Sequence, residues 1–445
     1  MSDTRKRDQV RLGPQYLKLW TANVVSNLGD GIGLVAYPWL ASAVTRNPLL
    51  IAAVGVAQRL PWLVFSLPAG VITDRVDRRR LILVMDVLRT GITLAVAFLV
   101  LAAQDLPSPE QVASGVITTN TGLYVALLVA TLLFGFAEVL RDNSAQTLLP
   151  AIVEPQGLEK ANGRMWAAEM VANSFAGPPL GSLLIGVLFA LPFFVDAASF
   201  AVSAGLVFML TGDFRSRRNE APPQKISWKG EISEGFRWLW GNPMLRTLAI
   251  VLGWMNGLSN MAGATLVLFA QEVLVLGAFQ FALLGTGAAV GGVLGSITAP
   301  RISRRLGSGP SLYLTLISGV VTSLVIAASS SWPVTWLMFG IGTATGMVWN
   351  VITVSLRQTI IPDHLLGRVN SVYRFFGWGT LPIGLGLGGL LVWLGETLVN
   401  RDFGLRLPWL VSGIASALLF AYAAPRLTTT KIEAARDEGS AAKFA

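Results

Sequence analysis

Gly70-Val71-Ile72-Thr73-Asp74-Arg75-Val76-Asp77-Arg78-Arg79-Arg80 carries six charges in eleven residues and lies between two long apolar runs, Leu49 to Ala69 and Leu81 to Ala103. Each run is close to the ~20 apolar residues that a helix needs to cross a bilayer. A short, highly charged turn between two such runs must stay in water, and arginine-rich turns stay on the cytoplasmic side. The stretch therefore reads as a tight cytoplasmic turn between two membrane spans.

Composition extends this reading to the whole chain. Of its 445 residues, 53% are hydrophobic and only 13% are charged, and mean hydropathy is +0.59. Soluble domains carry about 25% charged residues, so the chain is expected to be a polytopic membrane protein. The net charge of +9 invites a nucleic-acid reading, but its placement argues otherwise. All lysines and arginines except Arg46, Arg59, Arg89, Arg401 and Arg406 fall in stretches that the span assignment puts in the cytoplasm. That bias predicts both termini inside and an even number of spans. Cysteine is absent and His364 is the single histidine, which argues against a disulfide, a thiol catalyst, a metal site or a Ser-His-Asp triad. The polar, basic N-terminus through Lys18 does not read as a cleaved signal peptide.

Twelve spans are expected, near 16–41, 50–72, 81–104, 122–141, 165–189, 192–211, 244–272, 280–300, 311–330, 334–356, 370–394 and 407–424. The expected fold is all-α, two pseudo-symmetric six-helix bundles covering 1–211 and 243–425. A cytoplasmic linker at 212–242 joins them, and a tail follows at 426–445. The linker holds Pro222-Pro223 and ends in Glu231 to Trp240, where Ile232, Phe236, Leu239 and Trp240 recur at helical spacing. That pattern predicts an interfacial amphipathic helix. An internal repeat supports the halving. Gln146-Thr-Leu-Leu-Pro150 recurs as Gln358-Thr-Ile-Ile-Pro362, and Arg75-x-x-Arg78-Arg79 recurs as Arg301-x-x-Arg304-Arg305, with Pro300 in the place of Asp74. Duplicated halves are a transporter architecture with the substrate site between them.

The opening stretch, G-x-x-x-D-R-x-x-R-R after the second span, resembles the signature loop of the major facilitator superfamily. The segment Arg141 through Asn162 resembles the loop after span four in the branch of macrolide, tetracycline and siderophore exporters and lysophospholipid transporters. Asp86-Val-Leu-Arg89, Asp196-Ala-Ala-Ser-Phe200 and Gly367-Arg368-Val-Asn-Ser-Val-Tyr373-Arg374 fit that branch too. The resemblance covers nearly the whole chain and implies secondary transport, often proton-coupled export. It implies gating roles for Gly70, Asp74, Arg75, Arg78 and Arg79, with Asp74 capping span eleven and Glu138 or Asp142 accepting Arg78. Gly177-Pro178-Pro179-Leu180-Gly181 resembles the G-P-x-x-G element of antiporters.

Buried polar groups carry the candidate chemistry, because an ionisable residue at mid-membrane costs roughly 2.5–3.5 kcal/mol on insertion scales. Asp30 lies ~18 Å of helix beyond Lys18, near mid-depth. Asn23, Asn27, Asp30 and Tyr37 share one helix face, and a polar stripe on a membrane helix should face a water-filled cavity. Asp30 is read either as a proton-exchange or cation-pairing residue, or as half of a structural ion pair with Arg59. Arg59, charged at every working pH, can tune Asp30 or hold an anionic group. Glu169, in line with Asn173 and Gly177, is a second proton candidate. Glu138 with Arg141, and Asp86 with Arg89, are spaced for i,i+3 ion pairs. Trp62, Trp254, Asn256, Asn260, Trp349, Asn350 and Trp378 are candidate walls of a broad aromatic pocket. Few charges among aromatics and amides favour a small amphipathic organic substrate. No G-x-x-x-x-G-K-[ST] loop occurs, so ATP is not the expected energy source, and no cofactor is expected.

Two transport readings compete: proton-coupled export of a drug, macrolide or siderophore, and lysophospholipid or other lipid transport without proton coupling. A non-transporting membrane sensor is the third reading, disfavoured by the repeat. Short loops and missing cysteines suit a bacterial inner membrane.

Overall fold

The computed structural model describes residues 12–103, 105–212, 214, 228–362 and 365–444, and among them all regular secondary structure is helical. Seventeen α-helices follow in order: α1 Gly13–Val44, α2 Pro48–Arg75, α3 Arg78–Ala102, α4 Pro109–Ala113, α5 Thr121–Ile152, α6 Leu158–Glu169, α7 Gly177–Val187, α8 Leu191–Phe208, α9 Trp228–Gly241, α10 Pro243–Gly263, α11 Leu266–Glu272, α12 Ala278–Leu306, α13 Ser308–Ala328, α14 Trp332–Ile360, α15 Leu366–Leu398, α16 Arg401–Ala423 and α17 Thr429–Phe444. His364 and linker residues 215–227, with Pro222-Pro223, lie outside the described residues.

Polar caps mark where several of these helices begin. Asp77, Asn120, Asn242 and Asn400 accept backbone N–H bonds from Arg80, Leu123, Leu245 and Phe403. Each satisfies a donor that the first helical turn leaves free. Among the described residues, ten helices are long and apolar enough to cross a membrane. Neither α1 nor α10 is among the ten, and each carries polar residues along its length, Asn23, Ser26, Asn27 and Asp30 on one and Asn256, Ser259 and Asn260 on the other.

Two expected spans are interrupted. The run 165–189 divides at Met170–Ala176, a stretch of wide i→i+5 turns directly before Gly177-Pro178-Pro179. Proline lacks the N–H for the helical ladder and its ring crowds the carbonyl four residues back. A widened turn absorbs the misfit. The run 244–272 breaks at Ala264-Thr265 between α10 and α11. The expected tail forms α17, held by buried Leu427 and Ile432 and by Ser308 Oγ donating to Glu433 at 3.0 Å.

The chain forms two compact units, 1–46 with 57–222 and 276–283, and 47–56 with 223–275 and 284–445. In the first, α1 and α3 both pack along α8, α3 also packs along α5, and α1 along α7. One cluster of its core joins Tyr16, Leu19, Ile82, Leu148, Leu149, Val207 and Leu210. In the second, α10 packs along α15, and α13 along α14 and α16. Its core gathers Leu245, Leu248, Leu312, Trp349, Ile352, Leu356 and Val369. The amphipathic α9 lies on α15, with Arg368 donating to Glu234 at 2.6 Å.

Candidate functional site

α1 contacts α7 so closely that glycine is required at the crossing. A Cβ on Gly177 would sit 2.5 Å from Gly31 Cα, and one on Gly181 would sit 2.7 Å from the Ile32 carbonyl. Gly177, Pro178 and Gly181 are all buried there. The G-P-x-x-G element is thus the contact surface that sets the position of Asp30's helix.

Asp30 itself pairs with Arg89 on α3, not with Arg59 on α2. The i,i+3 spacing does bring Asp86 to Arg89, at 3.5 Å. Arg89 also donates to Ser26 at 3.2 Å, and its guanidinium lies 3.8 Å from the Phe200 ring centroid and 4.6 Å from that of Phe134. It is 1% exposed and Asp30 is 19% exposed. Such a desolvated cation needs both the carboxylates and the aromatic faces.

The network continues through Asp86, which is fully buried. It accepts from Arg141 Nε at 3.3 Å and from Ser203 Oγ at 2.7 Å. Arg141 further donates to Asn23 Oδ1 at 2.6 Å and to Asp142 at 3.3 Å. The expected Glu138–Arg141 pair does not form. Arg141 turns to α3 and α1 instead, where a fully buried carboxylate gives a stronger partner than a neighbour on its own helix. Asn27 Nδ2 bonds the Asn23 carbonyl at 2.8 Å, so the polar stripe of α1 is partly used by its own backbone. Tyr37 meets Phe193 edge-on at 5.2 Å.

The basic turn is anchored on its own unit. Arg78 Nη1 donates to the Thr147 carbonyl at 3.1 Å, not to Asp142 or Glu138. Arg79 donates to the carbonyls of Val207 and Phe208 and lies over the Phe208 ring. Those carbonyls end α8, where a cation is favourable. Asp77 caps α3 and also accepts from Phe214 N at 3.1 Å. Arg75 ends α2 and is exposed. Gly70 falls within α2, and the side chain of Asp74 lies outside the described residues.

Other nominated residues are scattered. Glu169 is exposed at the end of α6, and Asn173 lies in the widened turn. Arg59 and Trp62 are half-buried on α2. In the second unit, Asn256 Nδ2 bonds the Gly377 carbonyl at 2.7 Å and Asn260 bonds the Asn256 carbonyl at 3.1 Å. Trp349 is 1% exposed inside the core, so it packs α14 and does not offer a pocket wall. Trp254, Asn350 and Trp378 are exposed. Sequence reading missed Ser26, Ser203, Phe134 and Phe200 as partners of this site. The motif Asp196-Ala-Ala-Ser-Phe200, which carries Phe200, was the available signal.

The profile of a family described as transmembrane secretion effector matches residues 13–440. The multidrug efflux pump Tap of Mycolicibacterium fortuitum is 29% identical over 422 residues, 92% of this chain and 96% of that protein. The multidrug efflux pump Tap of Mycobacterium tuberculosis is 28% identical over 393 residues, 85% of this chain and 87% of that one. Among solved structures, nucleoside transporter NupG aligns with a TM-score of 0.70 at 13% identity, covering 92% of this chain and 98% of that one. A bacterial homologue of the iron transporter ferroportin, inward-facing, aligns at 0.65 and 17% identity, covering 93% and 99%. These structures share the fold.

Proposed function

This chain belongs to the transmembrane secretion effector family of the major facilitator superfamily, and from that premise we propose that it exports amphipathic organic molecules in exchange for protons, by alternating access. It is a multi-span transporter of the bacterial inner membrane, not an enzyme. In the proposed topology α1 and α10 join the ten apolar helices to make twelve spans, with both termini cytoplasmic. Two bundles, 1–211 and 243–425, move against each other around the 212–242 linker.

The observation that carries the proposal is the Asp30–Arg89 pair. Asp30 retains some exposure while Arg89 is sealed. A proton arriving on Asp30 cancels the charge that holds Arg89, and a cationic group on a substrate competes for the same carboxylate. Either event removes the carboxylate of α1 from Arg89, leaving Ser26 as its bond to that helix and Asp86 as its paired acid, and so weakens the tie between α1 and α3. Pairing changes of this kind are how a local charge event biases a two-state element. Glu169 remains the second proton candidate, and Arg59 a candidate for anionic groups. The names of the Tap relatives support drug-like cargo.

The test is ethidium uptake into inverted vesicles under an imposed proton gradient. We expect wild-type uptake to collapse with an uncoupler and with Asp30→Asn. Gradient-driven uptake at the wild-type rate in Asp30→Asn refutes the role of Asp30. Transport of a labelled lysophospholipid that ignores the gradient moves the reading to lipid transport.

A further inference from the structure

Asp196 stands one helical turn before Phe200 on α8, and Phe200 is the ring on which the Arg89 guanidinium rests. It is 2% exposed. Gly29, the neighbour of Asp30 on α1, makes room for it: a Cβ there would come within 2.3 Å of Asp196 Oδ1. Ser199 Oγ donates to the Asp196 backbone carbonyl at 2.7 Å, not to the carboxyl. Among the described residues no ion pair reaches Asp196, and its Oδ1 accepts no hydrogen bond.

Among the charged and titratable groups of the helices around it are Asp30 and Tyr37 on α1, Asp86 and Arg89 on α3, and Glu138, Arg141 and Asp142 on α5. From α7 none is contributed. Within the network, the guanidinium groups of Arg89 and Arg141 balance the buried carboxylates of Asp30 and Asp86. A further carboxylate at Asp196 would be an uncompensated buried charge, which costs several kcal/mol, so such groups exist in the neutral form.

Resting on the reading of Asp30 as the coupling carboxyl, we propose that Asp196 is a second proton-binding site of the transport cycle, protonated while Asp30 holds Arg89 and ionised when Arg89 leaves Asp30. One proton and one guanidinium are then shared by two carboxyls on α1 and α8. When a proton binds Asp30, Arg89 turns across the face of Phe200 toward Asp196, which releases its own proton. Only O–H bonds form and break, and one proton enters as one leaves. The relay gives α8, a helix that contributes no ion pair in this arrangement, a direct part in coupling.

The test is infrared difference spectroscopy, in H2O and D2O, of the full-length protein in liposomes, following the C=O band of protonated carboxyls as pH is raised. We expect a wild-type band at neutral pH that is absent from Asp196→Asn. In Asp30→Asn, Arg89 is free to face Asp196, and the band should vanish at about tenfold higher proton activity, about one pH unit lower. A spectrum left unchanged by Asp196→Asn overturns the proton site. An unshifted titration in Asp30→Asn overturns the link through Arg89. Where Asp196→Asn fails to accumulate, Asp196→Glu must shift the band frequency, and an unshifted band again overturns the proposal. Ethidium uptake is read separately: wild-type uptake in Asp30→Asn with the Asp196 band intact fails the Asp30 reading alone, and an unchanged pH profile of uptake in Asp196→Asn fails the relay.

Discussion

Replacing Arg89 with methionine keeps a long apolar stem and removes the cation that Asp30 and Asp86 share. Breaking a buried pair from one side costs about 3–5 kcal/mol, because the remaining charge stays buried. Loss of the two ring contacts adds about 2 kcal/mol for a desolvated cation. Arg141 still holds Asp86 at 3.3 Å, so the uncompensated group is mainly Asp30. A second change, Asp30→Asn, should therefore recover a large part of the loss. The assay is a double-mutant cycle on unfolding of purified protein in detergent, followed by tryptophan fluorescence. We expect a coupling energy above about 1 kcal/mol, since contacting charges are non-additive by 0.5–3 kcal/mol. Additive effects of Arg89→Met and Asp30→Asn, or an Arg89→Met protein as stable as wild type, refute the placement of Arg89 between the two acids.

Gly177→Val puts side-chain atoms where Gly31 Cα lies 2.5 Å from the Cβ position, and should cost at least 1–3 kcal/mol, read as lost membrane accumulation and a lower melting temperature. The same substitution at Gly163, whose Cβ position is open within 4 Å, should leave stability unchanged or slightly raised, since valine is a better helix former than glycine. Asp77→Ala removes the cap on Arg80 N and the acceptor of Phe214 N, and should cost ~1 kcal/mol in the same unfolding assay. Asp77→Asn keeps the acceptor and should recover most of it.

The charged turn, the apolar runs and the repeat were legible in the primary structure because each is a local property. Span length, charge placement and helix caps need no knowledge of neighbours. The amphipathic α9 was legible for the same reason, since Phe236 and Trp240 recur at helical spacing. Interruptions were less legible. Pro178-Pro179 signalled a bend, but the widened turn at 170–176 depends on how the ladder rearranges. Asp30 stood out as a mid-span acid, yet its partner did not. Arg59 and Arg89 are both lone arginines in apolar runs, and nothing local distinguishes them.

The sequence by itself determined a polytopic helical membrane protein, its internal repeat and the polar stripe on α1. These follow from period, length and charge, which the chain carries residue by residue. Only the tertiary structure decided that Arg89 answers Asp30, that Arg141 leaves Glu138 for Asp86 and Asn23, and that Asp196 lies beside them. Those choices rest on which helices cross closely enough to exclude water. There a buried charge takes the partner the packing offers, however near another lies in the chain.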